Sequence, residues 1–280
     1  MSSLAFLSVL FAALLAASWN AIIKAGIDKH LDIILVSCAA ALISLVVLPF
    51  VPQPAVESWP YIAASTVTQP IYYVLLTAVY RTGEMSEVYP LMRGTAPLLI
   101  AMAGGPLIGE ALPVQGWIAV ALICGGVFAL AIDAHRRNGA TRSAAPFAFA
   151  NAIVIAAYTL IDGVGVRKSA APASYTMWIF ALSALPLLVW TLWRRRTDFL
   201  THAGSRWLVG MFGGAATLGS YGVTLWAMTS SPIALVAALR ETSIFFATAI
   251  AVLVLGERIS WMRYVAIAVI ASGAIAIRLA

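Results

Sequence analysis

The sequence predicts an all-α, polytopic membrane protein of ten transmembrane helices, arranged as two inverted five-helix repeats. Of its 280 residues, 62% are hydrophobic and only 10% are charged, whereas roughly a quarter are charged in an ordinary soluble domain. Ten apolar runs have close to the ~20 residues that a helix needs to cross the hydrocarbon core of a bilayer. One interval of 147 residues separates Arg93 from Arg240 and Glu110 from Glu257, which indicates an internal repeat. The same interval pairs Ser58 with Ser205, Thr77 with Thr224, Thr95 with Thr242, Gly109 with Gly256 and Gly126 with Gly273.

The first repeat covers residues 1–137 and the second covers residues 138–280. A signal peptide would begin with basic residues, but no Lys or Arg precedes Lys24, so we expect the first apolar run to be a retained helix. The runs of the first repeat are Leu4–Ala25, Ile33–Phe50, Trp59–Tyr80, Val88–Ile108 and Pro113–Ile132. After a polar link at residues 133–145, the second repeat has the runs Pro146–Val166, Ser174–Trp193, Trp207–Met228, Ile233–Leu255 and Trp261–Leu279.

The orientation of the chain follows from its basic residues, which concentrate in cytoplasmic connections. The connections after the odd-numbered helices contain most of them, whereas the opposite side has only Arg167, Lys168 and Arg278. We therefore expect an integral protein of the bacterial inner (plasma) membrane with both termini on the non-cytoplasmic side. Because each repeat has an odd number of spans, the second enters the membrane upside down relative to the first. Inverted repeats are typical of secondary transporters, whose substrate site lies near the bilayer midplane.

Composition and motifs argue against other classes of protein. The net charge of +6 fits membrane topology better than a nucleic-acid-binding face, because the basic residues lie in short connections between apolar runs. The chain has no zinc-protease, nucleotide-binding or nucleophile-elbow motif, so we expect neither an enzyme nor a bound cofactor. Cys38 and Cys124 lack metal-ligand spacing and are interpreted as packing residues. The expected partners are a small-molecule substrate and membrane lipid, and the fused repeats make a monomer sufficient without excluding a dimer.

Two arginines lie inside apolar runs. Arg93 follows Tyr89 in the fourth run, and Arg240 precedes Glu241 in the ninth. An arginine at membrane depth costs several kcal/mol, roughly 3 on insertion scales, and is usually tolerated only where it faces a bundle interior or a wet cavity. The alternative is a purely structural ion pair with a carboxylate of a neighbouring helix, although a guanidinium can hold a carboxylate and still donate to an anionic substrate. We predict that Arg93 and Arg240 line one cavity and contact the substrate.

Glu241 and Asp162 are the acidic candidates for the same cavity. Adjacent helical residues point about 100° apart, so Arg240 and Glu241 must face different neighbours. Either carboxylate could carry a coupling proton or sodium ion, and Glu241 is the first candidate because it lies deeper in its run. The alternative for Asp162 is a position at a helix end near the outer interface, close to Arg167 and Lys168.

Aromatic residues within the helices supply walls for the predicted cavity, where their rings could hold an ammonium group by cation–π contact, worth ~1–2 kcal/mol when desolvated. Glu110 and Glu257 follow glycines at helix ends, and we expect them to be structural acceptors for donors at the start of the next helix. Glu84 and Glu87 precede the fourth helix and would complement its dipole. The aromatic candidates are Trp19, Tyr72, Tyr73, Tyr89, Tyr158, Tyr221 and Trp226.

Several of these motifs together resemble the EamA-type branch of the drug/metabolite transporter superfamily, whose ten helices form two fused repeats. They are Ala17-Ser18-Trp19-Asn20 followed by Lys24 in the first helix, and Gly109-Glu110 and Gly256-Glu257 at the ends of helices four and nine. The resemblance implies a basket-like bundle in which helices one, three, four, six, eight and nine line a central cavity, with helices five and ten peripheral. Trp19 and Asn20 join the candidate substrate-binding residues. The strings Tyr158-Thr159-Leu160-Ile161-Asp162-Gly163 and Arg240-Glu241-Thr242-Ser243 resemble a subgroup associated with phosphonate utilisation.

These features predict a secondary transporter that moves a small amphoteric or anionic metabolite, of the amino acid or aminophosphonate type, by alternating access through a central cavity. Paired arginines beside a carboxylate and aromatic walls favour that substrate class. Two alternatives stay open at this point. One is an exporter of organic cations or drugs, which would use Glu241 or Asp162 with the aromatic residues. The other is a non-transporting membrane scaffold or lipid-processing protein.

Overall fold

The computed structural model describes residues 1–26, 28–82, 85–138, 144–253 and 260–279, and within these ranges all regular structure is helical. The prediction of an all-α protein is therefore confirmed. Two short 3₁₀ helices, Leu48–Phe50 and Val56–Ser58, lie between the second and third long helices. The α-helices are α1 (Ser3–Ala25), α2 (Lys29–Val47), α3 (Trp59–Thr82), α4 (Met85–Ile108), α5 (Val114–Asn138), α6 (Ala145–Ser169), α7 (Pro172–Met228), α8 (Ile233–Arg240), α9 (Ser243–Leu253) and α10 (Trp261–Leu279).

Seven helices in the described chain are long and apolar enough to cross a membrane, namely α1, α2, α4, α5, α6, α7 and α10. α3 is 24 residues long but carries a polar stretch from Ser65 to Gln69. α8 and α9 have 8 and 11 residues, so each alone is shorter than the ~20 residues of a spanning helix. The long apolar helices support an integral membrane protein.

α7 takes the place of the two separate helices that the sequence predicts over Ser174–Trp193 and Trp207–Met228. The element leaves helical geometry at Arg195 (φ −142°, ψ 42°) and at Arg206 (φ −124°, ψ 20°). Its two arms, residues 172–194 and 207–228, lie side by side, because the ring centres of Phe180 and Tyr221 are 6.0 Å apart. α7 is therefore a helical hairpin closed by a short segment, residues 196–205.

The prediction of one continuous ninth helix is wrong, because this stretch consists of α8 and α9 with a break at Glu241 and Thr242. At the break, the amides of Glu241 and Thr242 each donate to a carbonyl oxygen only three residues back. No proline or glycine lies there. α4, in contrast, continues through Pro90, Pro97 and Pro106, although each proline removes a backbone donor. Proline positions therefore do not indicate where a helix of this bundle is interrupted.

α5 and α10 pack against each other through two glycines at repeat-equivalent positions. Gly126 of α5 lies against Ile270, and a Cβ atom placed on it would come within 2.7 Å of that side chain. Gly273 of α10 lies in the same way against Ile123, also at 2.7 Å. The 147-residue interval relates the two contacts, and the pairing of Gly126 with Ile270 and of Ile123 with Gly273 is antiparallel. Small residues permit this close approach of two helices.

Contacts between helix connections place the first and seventh connections on the same face of the bundle. Asp28, between α1 and α2, pairs with Arg195 at 2.9 Å, and Asp32 in the first turn of α2 lies 2.9 Å from His202. Both partners are in the closed end of the α7 hairpin. Burial alone would raise the pKa of Asp28, but the Leu31 amide and the Arg195 guanidinium bind its carboxylate and lower the pKa overall. These contacts agree with the prediction that the first and seventh connections lie on the same side of the bundle.

Candidate functional site

Arg93 of α4 forms an ion pair with Glu241 at the break between α8 and α9. Nε of Arg93 lies 2.9 Å from Oε2 of Glu241, and the two side chains are 13% and 5% exposed. The guanidinium carbon of Arg93 also lies 6.0 Å from the ring centre of Tyr89, one turn earlier on the same helix. The pair links the first half of the chain to the second, and it is neutral when both groups are ionised.

Asp162 lies within α6 and is completely buried. Its Oδ2 accepts hydrogen bonds from Ser65 Oγ at 3.0 Å and from Tyr221 Oη at 2.5 Å, while its Oδ1 accepts one from Tyr175 Oη at 3.2 Å. These donors come from α3 and from both arms of α7. α6 continues for about two turns beyond Asp162, and Arg167 binds Glu110 and the carbonyl oxygens of Met228 and Ser231 instead of Asp162.

Arg240 is the last residue of α8 and lies between the two carboxylates. Its guanidinium carbon is 5.3 Å from the ring centre of Tyr221, the tyrosine whose hydroxyl donates to Asp162. Within the described part of the chain, no carboxylate or other acceptor forms an ion pair or hydrogen bond with this guanidinium. Arg93 and Arg240 are therefore in different electrostatic environments, although the repeat relates their positions.

Tyrosine rings extend from Tyr221 towards α3. Tyr158 of α6 is buried, and its ring centre lies 6.5 Å from that of Tyr221 and 6.1 Å from that of Tyr72. The structure thus brings together seven of the predicted site residues around one aromatic cluster and its neighbouring ion pair. They are Arg93, Tyr158, Tyr221, Arg240 and Glu241, with Asp162 beneath Tyr221 and Tyr89 beside Arg93.

Three predicted site residues are not placed in this cluster. Asn20 donates from Nδ2 to the carbonyl oxygen of Ala16 at 2.7 Å, within α1 itself. Trp19 is half-buried on the same helix and makes no hydrogen bond or ring contact with any described residue. Tyr73 belongs to α3, but its side chain lies outside the described residues.

Glu110 follows α4 and caps a helix, though not the next helix in the chain. Its Oε2 accepts the N–H of Ile233, the first residue of α8, at 2.9 Å, and its carboxylate also pairs with Arg167. Arg167 in turn donates to the carbonyl oxygens of Met228 and Ser231. Glu110 therefore has the expected structural contacts, but with the start of α8 instead of α5, where a carboxylate complements the helix dipole. Glu84, Glu257 and the side chain of Glu87 lie outside the described residues.

Ser65 and Tyr175 bind Asp162 and are not among the site residues predicted from the sequence. Ser65 begins the polar stretch of α3, which is a signal that buried polar partners lie nearby. Tyr175 packs against Gly165, where any side chain would collide with the tyrosine hydroxyl. Gly165, three residues after Asp162, therefore leaves room on this face of α6 for the Tyr175 side chain.

Comparisons with known proteins agree with a transporter fold. Residues 142–279, just under half of the chain, match the EamA-like transporter family. A solved crystal structure of a protein resembles the whole fold with a TM-score of 0.79 at 18% sequence identity, covering 100% of this chain and 98% of the other. No curated protein matches the chain by sequence. The family match and the long apolar helices together support an integral membrane transporter similar to the drug/metabolite transporter superfamily.

Proposed function

We propose that the protein is a secondary transporter of the drug/metabolite transporter superfamily that moves a small amphoteric or anionic metabolite, such as an amino acid or aminophosphonate, by alternating access. The observation that carries this proposal is the Arg240 guanidinium, which lies in an apolar bundle and forms no ion pair or hydrogen bond with any described carboxylate. A charged side chain within the membrane costs free energy and is interpreted first as a functional residue. Arg93 differs because Glu241 already neutralises it.

The chemistry around Arg240 favours a ligand with an anionic group. A guanidinium presents five N–H donors and can hold a carboxylate or phosphonate through two of them at once. The rings of Tyr158 and Tyr72 lie beyond Tyr221, and the faces of such rings suit an ammonium group. An amphoteric compound would use both features, with its anionic group at Arg240 and its ammonium group towards the tyrosines.

The helix arrangement supports alternating access between two inverted repeats. The described helices are compatible with ten spans if α3 also crosses the membrane, the two arms of α7 are separate spans, and α8 and α9 form one interrupted span. The antiparallel packing of α5 on α10 through Gly126 and Gly273 is what two inverted repeats predict. A break within a span, such as that at Glu241, is tolerated where the backbone lines a cavity or is buried in protein. In many transporters such breaks lie at the substrate site near the midplane.

Thermal unfolding of the purified protein in detergent tests the proposal with a panel of amino acids, aminophosphonates, carboxylates and quaternary amines. A ligand that binds only the folded state raises its stability by RT ln(1 + [L]/Kd), ~2.7 kcal/mol at a hundredfold excess over Kd. We expect anionic or amphoteric compounds to stabilise the protein, and Arg240→Gln to abolish this effect. Arg263→Gln in the first turn of α10 is the matched control and should keep it. Uptake of the same compounds into proteoliposomes should follow the same order.

Two other results would contradict the proposal. Stabilisation by quaternary amines alone, unaffected by Arg240→Gln and lost in Asp162→Asn, would favour an exporter of organic cations. A folded protein that is neither stabilised by any compound nor able to take one up would favour a non-transporting scaffold or lipid-processing protein.

A further inference from the structure

We propose that Asp162 takes up a proton when an anionic group binds Arg240, so that the protein moves the anion and the proton together. This inference rests on the proposed function, because it requires an anion at Arg240. It is carried by the contacts of the two buried carboxylates and by the position of Tyr221, which contacts both Asp162 and Arg240.

The immediate neighbours of Asp162 are hydroxyl groups. Ser65, Tyr175 and Tyr221 donate the three hydrogen bonds that its carboxylate accepts. Among the described residues no cation forms an ion pair with it. The Arg240 guanidinium lies over the face of the Tyr221 ring and interacts with Asp162 only electrostatically, without a direct bond. The compensating positive charge is therefore close but not bonded to Asp162, and none of the described carboxylates occupies its N–H donors.

A hydroxyl shell accommodates both protonation states of Asp162. A serine or tyrosine hydroxyl can donate to a carboxylate or, after turning, accept a hydrogen bond from a protonated carboxyl group. A guanidinium has donors only, so a proton on Glu241 would replace its ion pair with Arg93 by a weaker hydrogen bond to a neutral carboxyl group. The ion pair thus favours the ionised form of Glu241, whereas Asp162 can gain a proton without loss of its partners.

Charge balance couples this proton to the anion. Without substrate, Arg93 compensates Glu241 and Arg240 compensates Asp162. An anion at Arg240 would leave Asp162 as an uncompensated charge in the protein interior, which is strongly unfavourable. A proton on Asp162 removes that charge without moving any other group. The anion and the proton therefore bind cooperatively, and each raises the affinity for the other by the same factor.

Other groups near Asp162 do not account for a proton bound near neutral pH. Tyrosines titrate at about pH 10, and Arg93 and Arg167 are paired with Glu241 and Glu110. The charged closed end of the α7 hairpin is roughly 20 helical residues, or roughly 30 Å, from the level of Asp162. The described titratable and charged groups on α6 and the elements packed against it are Glu57, Tyr61, Tyr72, Tyr89, Arg93, Glu110, Tyr158, Arg167, Lys168, Tyr175, Tyr221, Arg240 and Glu241.

Titration calorimetry in two buffers of different ionisation heat counts the protons taken up per ligand bound. The probes are acetate and ethanesulfonate, which carry one negative charge and no ammonium group and do not titrate near neutral pH. We expect the wild-type protein to take up about one proton per probe above the pH at which Asp162 is ionised, and its affinity to fall about tenfold per pH unit there. Asp162→Asn should bind the probe with no proton uptake and with an affinity independent of pH. Glu57→Gln, an exposed carboxylate, is the matched control and should keep the wild-type proton count.

The possible outcomes distinguish a failure of this inference from a failure of the proposed transport function. Binding that depends on Arg240 but takes up no proton, or a proton count that persists in Asp162→Asn, would overturn the inference and leave the transporter proposal standing. Absence of binding by either probe would contradict the anion site itself, and the inference would fail with it. If Asp162→Asn does not fold, Tyr221→Phe serves instead, because it keeps the ring beside Arg240 and removes one hydroxyl from Asp162. It should shift the pH at which affinity falls while the count stays at about one proton; an unshifted pH profile would contradict the inference.

Discussion

Glu241 and Asp162 are both buried carboxylates inside the membrane-spanning bundle, but the chain surrounds them differently. Glu241 is bound directly by Arg93 at 2.9 Å, whereas the described partners of Asp162 are three hydroxyl groups. An ion pair keeps a carboxylate ionised and joins two segments, whereas hydroxyls tolerate either protonation state. Two acidic residues of similar burial can therefore have different tasks, one structural and one suited to proton exchange.

The largest expected effect is the loss of stability in Arg93→Gln. This change leaves the Glu241 carboxylate buried without its partner, which typically costs about 3–5 kcal/mol. Denaturant or thermal unfolding in detergent measures the loss. The double variant Arg93→Gln/Glu241→Gln should recover most of it, because two neutral amides leave no buried charge. If Arg93→Gln costs no more than Arg196→Gln, which changes an exposed arginine in the segment that closes the α7 hairpin, the pair is not structural and the comparison fails.

Gly165→Ala tests the packing that holds the hydroxyl shell of Asp162. A methyl group at this position would collide with the hydroxyl of Tyr175 and with Cβ of Tyr61, so Tyr175 must move away from Asp162 and α3 must shift away from α6. Overpacking of this kind costs about 1–3 kcal/mol. Gly125→Ala on α5 is the matched control, because nothing lies within 4 Å of a Cβ atom there, and alanine is the better helix former. An equal loss in both variants would show that helix flexibility, not the Tyr175 contact, is responsible.

Asp162→Asn should destabilise the protein less than Arg93→Gln does. The amide keeps an acceptor oxygen for the hydroxyl donors, and its NH₂ group can donate to a hydroxyl that has turned, so we expect a loss of about 1–2 kcal/mol. The same unfolding measurement applies. A loss as large as that of Arg93→Gln would mean that Asp162 is a structural anchor, which removes the difference between the two carboxylates.

Sequence reasoning finds most of the helices and many of the charged residues, because an apolar run of spanning length has few other structures available in a membrane. It does not find the break at Glu241, since no proline or glycine marks it. The break brings Glu241 to Arg93, which is 148 positions away in the chain. Prolines alone would not locate a break either, because α4 continues through Pro90, Pro97 and Pro106. Tertiary contacts decide both cases, and they are invisible in a local pattern.

The partners of Asp162 show the same limit. Ser65 lies 97 positions before it and Tyr221 lies 59 positions after it. The sequence marks Asp162 as unusual because a carboxylate in an apolar helix is costly, but it offers no means to choose between an outer helix end and the bundle interior. Residue type predicts that a charge needs partners, whereas the identity of those partners depends on the packing of α3 and α7 against α6.

The smallest expected effect concerns Asp28 and Arg195, an ion pair at the bundle end whose side chains are 32% and 37% exposed. Solvent screens such a pair, so Asp28→Asn should cost less than about 1 kcal/mol. Because the Leu31 amide and the Arg195 guanidinium lower the pKa of Asp28 despite its burial, its stabilising effect is fully present above the ordinary carboxyl pKa of about 4 and is lost as the pH falls through the lower folded-state value. Unfolding of both proteins at a series of pH values should therefore show a difference that is constant near neutral pH and shrinks in acid. A difference that grows in acid would mean that Asp28 gains nothing from Arg195 and that the buried and exposed pairs do not follow the same electrostatic rule.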